Sequence, residues 1–234
     1  MKKQIFGVGF GIATVLGAGS AMAEPFAAPG TFAVGVERVF GLDYTSETTK
    51  APGSTVEEKS SYTSIALLGS LPTTMSMLPR LNFDVFLGPG ISLGGGLMYQ
   101  HVSHSQPAAA GSTTSYDSST GIYLFAPRVG FGIPINENFA IWPRLGLAYY
   151  YTKGETTTTN AGVEQTSKNT TGVWYTTLDA MLMISPVQHV AISVGPSLDV
   201  LIGGPTTTRD GVGTPSDDTS QYSIGLRTGL TAWF

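Results

Sequence analysis

The last thirteen residues alternate without a break. Tyr222, Ile224, Leu226, Thr228, Leu230, Ala232 and Phe234 form one row, and Ser223, Gly225, Arg227, Gly229, Thr231 and Trp233 form the other. A period of two belongs to a β-strand, whose successive side chains point to opposite faces. The pattern recurs upstream. Phe32, Val34, Val36, Phe40, Leu42 and Tyr44 alternate with Ala33, Gly35, Glu37, Gly41 and Asp43. Further runs of the same kind start at Tyr123, Phe139, Trp174 and Val190. Helical periodicity is absent from all of them, so the chain is all-β.

Composition decides what surrounds these strands. Hydrophobic residues make up 41% and charged residues 12%, against about 25% charged in ordinary soluble domains. Much of the surface therefore faces something other than water. Past the N-terminus no stretch reaches the ~18 apolar residues of a membrane helix. A transmembrane β-barrel resolves the conflict, because its strands alternate lipid-facing and lumen-facing residues.

The N-terminus reads as a secretory signal peptide. Lys2 and Lys3 form a positive n-region, Ile5 to Gly19 an apolar h-region, and Ala21-Met22-Ala23 a small-residue cleavage site before Glu24. We expect residues 1–23 to be removed and 24–234 to form one barrel domain. Losing the two lysines takes the net charge from −4 to −6. No basic patch remains, which disfavours nucleic-acid binding. With no cysteine, thiol chemistry and disulfide staples are excluded.

Connections alternate in length. Long Thr/Ser/Gly-rich segments near 46–60, 104–119, 152–171 and 203–220 are read as external loops. Short turns fall at Gly88–Gly90, Asn136–Asn138 and Pro186–Gln188. Long external loops and short periplasmic turns are a second barrel signature. All four lysines after the leader, Lys50, Lys59, Lys153 and Lys168, lie in or beside the long segments. Eight strands result if 61–87, interrupted at Pro72–Pro79, counts as one.

The ending Arg227, Gly229, Ala232, Phe234 resembles the terminal signal by which barrel-assembly machinery recognises its clients. The chain as a whole resembles the small OmpA/OmpX-like outer-membrane barrels, on segments such as Pro79–Gly96, Phe125–Gly132 and Ile141–Tyr151. That resemblance implies an antiparallel up-and-down barrel in the outer membrane of a Gram-negative bacterium, with outer-membrane lipids and the assembly machinery as partners. It implies no common chemistry, no cofactor and no particular surface ligand.

Alternation places Glu37, Asp84, Asp179 and Asp199 inside, with Arg80, Arg128, Arg144 and Arg227. An eight-stranded barrel has an interior just wide enough for side chains to fill, and unpaired charges there are costly. The expectation is a salt-bridged plug without catalytic, cofactor-binding or metal-binding residues, in a non-enzymatic protein of envelope structure or surface interaction. A small passive channel is the alternative, and would need a wider lumen. Arg38 falls on the lipid row, where it needs either a bulge or a side chain reaching the interface.

A third reading is a lipid-modifying enzyme. His101-Val102-Ser103 resembles the His/Ser pair of lipid A deacylase barrels. A Ser–His pair also needs a carboxylate to orient the imidazole; Asp117 is read as lying in a loop. Asp210, Asp217 and Asp218 lack calcium-loop spacing.

Overall fold

The computed structural model describes residues 25–50, 55–66, 78–108, 114–202, 205–210, 212–214 and 218–234. The expected signal peptide lies outside them. The described strands are β1 (Phe32–Lys50), β2 (Glu57–Ala66), β3 (Arg80–Phe86), β4 (Ile91–Gln106), β5 (Thr114–Phe131), β6 (Ile133–Pro134), β7 (Phe139–Asn160), β8 (Val163–Val187), β9 (Val190–Leu201), β10 (Thr206–Arg209), β11 (Val212–Thr214) and β12 (Asp218–Trp233).

Antiparallel pairing runs β1–β3–β4–β5–β7–β8–β9–β12 and back to β1, so the sheet closes on itself. Closure removes every edge along that circuit, which a bilayer demands. β2 pairs Gly41–Lys50 of β1, while β3 pairs Phe32–Glu37 lower on the same strand. The two pieces therefore share one place in the ring, and the barrel has eight positions. β6 continues β5 along β7. β10 and β11 extend the sheet from β8.

The outward rows are those the alternation gives. Leu42, Leu97, Phe125, Leu145, Leu178, Ile192 and Leu230 are half-exposed and project from the barrel. Above this apolar belt runs an aromatic girdle. Its ring centroids are 5.0 Å apart for Tyr99–Tyr123, 6.2 Å for Tyr123–Tyr151, 4.6 Å for Tyr149–Trp174 and 6.5 Å for Tyr44–Tyr222. A belt with an aromatic rim is the surface of a transmembrane barrel. No helix among the described residues is long and apolar enough to cross a membrane; the strands do the crossing.

The long external loops are the main correction. Strand pairing continues through most of 104–119 and 152–171: His104 faces Ser118, Glu155 faces Lys168, and Thr159 faces Glu164. Asp117 consequently sits in β5, opposite Ser105, rather than in a loop. Threonine and serine on both faces conceal the alternation, yet β-branched threonine suits a strand as well as valine does. The barrel wall thus rises well above the girdle as a polar sheet.

Inside, the lumen is layered. At the end opposite the polar sheet a turn at Phe26–Gly30 folds into the mouth. Phe26 packs edge-on against Phe86, Trp142 and Trp233, at 5.2, 5.4 and 5.4 Å. The turn is fixed by backbone bonds, Gly30 N–H to Phe86 O at 2.7 Å and Gly90 N–H to Ala27 O at 3.3 Å. Gly90 is required where it stands: its φ is +79°, and a Cβ there would lie 2.6 Å from the Gly132 carbonyl oxygen. Toward the polar sheet lies a second apolar layer around Leu124, Ala148, Tyr150, Val173 and Tyr175. Between the two is a layer of charge.

Candidate functional site

Each of the eight lumen charges read from the sequence is buried in this middle layer. Glu37 is the hub. Its Oε2 accepts from Arg80 Nε at 3.1 Å and Arg128 Nη1 at 2.7 Å, and its Oε1 accepts from Arg144 Nη1. Arg128 also holds Asp84 with two donors, Nε at 3.0 Å and Nη2 at 2.5 Å. Arg144 Nη2 reaches Asp179 at 3.2 Å, and Arg80 Nη2 lies 3.6 Å from the same carboxylate. This group holds three arginines and three carboxylates.

A second group contains two residues absent from that reading. Arg38 grips Asp199 through both terminal nitrogens, at 3.0 and 2.9 Å. Arg227 Nη2 is 2.9 Å from Asp43 and 3.6 Å from Asp199. Ser223 donates its hydroxyl to Asp43. Here two arginines face two carboxylates, so each group is neutral by itself. Neutrality matters because an unmatched charge in a dry interior costs several kcal/mol.

Arg38 leaves the lipid row through a bulge, one of the two resolutions its position required. Between Glu37 and Gly41 the register of β1 on β12 shifts: Glu37 faces Gly229 and Gly41 faces Arg227. Three residues of β1 thus stand against Thr228 alone. The Thr228 hydroxyl bridges the bulge, donating to Phe40 O and accepting from Phe40 N–H, each at 3.1 Å. Arg38 adopts φ +60°, unusual for a residue with a Cβ, and this turns it inward. Glu37 enters one neutral group and Arg38 the other, so the bulge is where the groups meet. Asp43 stands in the inward row with Glu37 and was legible there.

The layer rests on Trp142. The Arg144 and Arg128 guanidinium carbons lie 4.7 and 5.4 Å from its ring centroid, and its Nε1–H donates to Ser92 at 3.0 Å. All ten charged residues are at most 5% exposed. A water-filled bore would leave their heads accessible, so the barrel is closed at this level. Several donors, among them Arg80 Nη1, Arg144 Nε and Arg227 Nε, have no protein acceptor. The layer therefore specifies an arrangement of strands more than it adds net stability.

The terminal-signal residues are dispersed by the fold. Arg227 joins the charge layer. Gly229 faces Glu37, Ala232 faces Val34, and Phe234 exchanges backbone bonds with Phe32, each 2.9 Å. The Phe234 ring is open to the exterior.

His101 and Ser103 both project outward on β4. The Asp117 carboxylate belongs to the row of Ser105, two outward rows above Gly121, which faces His101. That is about 13 Å along the strand at ~3.4 Å per residue, too far to orient the imidazole. Glu155 faces Ser119, which in turn faces Ser103; two strand spacings, ~10 Å, separate it from that serine. No nucleophile–base–carboxylate arrangement is assembled there. Among the described residues no group of three or more His, Asp and Glu side chains is gathered to hold a metal.

Fold and interior together define a closed eight-stranded transmembrane barrel with a salt-bridged core. No family model matches the chain, and no curated protein does. Among solved structures it is similar to Ail, the attachment invasion locus protein of Yersinia pestis, at 14% identity and TM-score 0.38, covering 88% of this chain and all of that one. Neisserial surface protein A is similar at 11% identity and TM-score 0.35, over 87% of this chain and 98% of that one. The likenesses are loose, and the architecture rests on the strand pairings themselves.

Proposed function

We propose that the protein is a non-enzymatic component of a Gram-negative outer membrane, closed to solutes, which displays a polar β-sheet outside the cell for envelope structure or surface interaction. The observation that carries this reading is the sealed charge layer beneath a long polar extension of the same sheet. A wall packed this way supports a platform rather than a channel. Residues 1–23 direct export, and the mature chain begins at Glu24. Arg227, Gly229, Ala232 and Phe234 serve as the assembly signal, with the exposed Phe234 ring available for recognition.

Orientation gives a direct test. Lys50, Lys59, Lys153 and Lys168 are the lysines of the mature chain, and their rows lie above the girdle, on the side this reading places outside the cell. An amine reagent that cannot cross membranes should label all four on intact cells, leaving the Glu24 α-amine for lysed cells. Lysine labelling only after lysis would overturn the surface reading. Recovery in the soluble periplasm would overturn the location. For assembly, deleting Phe234 should sharply lower the yield of heat-modifiable barrel, whereas Thr166→Ala should leave it unchanged; equal yields would remove the signal assignment.

A further inference from the structure

The outward face just above the girdle carries a feature the lumen does not explain. His101 stands opposite Gly121, and Gly121 opposite Lys153, so three outward positions lie level on β4, β5 and β7. Neighbouring strands are ~4.8 Å apart. His101 and Lys153 therefore flank a notch about 10 Å across whose middle position has no side chain. Tyrosine forms its floor: a Cβ on Gly121 would meet the Tyr123 ring at 3.5 Å. Tyr99, Tyr123 and Tyr151 run beneath it as a continuous, exposed row.

Depth and charge narrow what could sit there. The tyrosine row marks the bilayer interface, where amphipathic rings settle, so the notch lies at headgroup level. Lys153 offers an ammonium and His101 a ring N–H donor. Among the described residues no acid shares their row, which continues through Thr170 on β8 and Thr208 on β10. Glu155, one row higher, is engaged by Lys168 at 3.6 Å. Directly above, Ser103, Ser105, Asp117, Ser119 and Glu155 help to line a cleft of about 330 Å³. Below, Leu97 and Phe125 continue the apolar belt.

We propose that this notch is a lipid site, seating the phosphate of an outer-leaflet glycolipid between Lys153 and His101. The sugar lies in the hydroxyl-lined cleft above, and the acyl chains run down the apolar belt. Each layer of the surface then meets the matching part of one amphiphile. The lipid's identity rests on the outer-membrane reading; the phosphate chemistry rests on the notch.

The test uses the purified mature barrel in detergent, with retained lipid counted by native mass spectrometry. Diphosphoryl lipid A should be retained about fivefold more than its dephosphorylated form, the scale of one lysine near an anionic surface. Lys153→Gln and Gly121→Val, which removes the charge or fills the notch, should each abolish that preference while the barrel stays heat-modifiable. Lys50→Gln, at the far end of β1, should preserve it. Equal retention of both lipids would overturn the proposal, as would equal loss in Lys50→Gln, which would indicate diffuse charge. Displacement of the lipid by millimolar inorganic phosphate would reassign the notch to a free anion. Because the protein is purified, these results do not depend on where cell fractionation finds it.

Discussion

The charge layer and the sheet above it are made by the same strands under opposite rules. Inside, Glu37 and its partners are withdrawn from water, and each is matched by an opposite charge at a fixed distance. Outside, β7 and β8 continue as Thr157 against Thr166 and Glu155 against Lys168, with water available to every group. Inside, removing one partner strands a charge. Outside, removing one leaves a group that water can take over. Two stretches of one strand should therefore respond very differently to the same kind of change.

The largest expected difference comes at the hub. Glu37→Ala leaves Arg80, Arg128 and Arg144 without their shared acceptor, and should cost about 3–5 kcal/mol in denaturant unfolding. A loss below about 1 kcal/mol would mean that water reaches the layer, since exposed pairs are worth no more than that. The aromatic cork at the opposite mouth comes next. Phe26→Ala removes a ring touching three aromatic partners and should cost about 3 kcal/mol, the lower end for such truncations. Little change would mean that the turn at Phe26–Gly30 is not held in the mouth. In the external sheet, Thr166→Ala should stay within about 0.5 kcal/mol, as surface substitutions do; a larger loss would place that sheet within the cooperative core.

The smallest effect concerns pH. Asp210 is exposed, and its carboxyl is held below the ordinary aspartate range by the Lys168 backbone N–H, the Ser167 hydroxyl and nearby Arg209. A depressed carboxylate contributes stability above its unfolded value and loses it as pH falls through its folded one. The clip between β8 and β10 should thus persist through neutral and mildly acidic pH and release below about 3.9. The Lys168 amide resonance reports the midpoint by NMR; a midpoint at or above that value would contradict the clip.

The same contrast explains what the sequence made legible. Where lipid lies on one side and packed polar groups on the other, alternation separates the rows, and it placed Glu37, Arg80, Asp84, Arg128, Arg144, Asp179, Asp199 and Arg227 on the inward one. Arg38 stood out as a charge on the lipid row, and of the two resolutions open to it the structure has the bulge, which adds two residues to β1 against β12. An even insertion restores parity, so the rows on either side still match and only the misplaced charge marks the turn. The strands of the external sheet escaped because both of their faces meet water, and Thr/Ser runs then look like loops. Phe26 escaped because a turn has no period to read; its aromatic partners are distant in sequence and meet only when the barrel closes.

Planar-bilayer recording of the wild-type barrel tests the central claim most directly. With the layer neutral, paired and at most 5% exposed, the purified protein should insert and show no steady conductance. Reproducible open-channel currents, with ion selectivity altered by Arg144→Ala, would contradict the sealed barrel and establish the passive channel in its place.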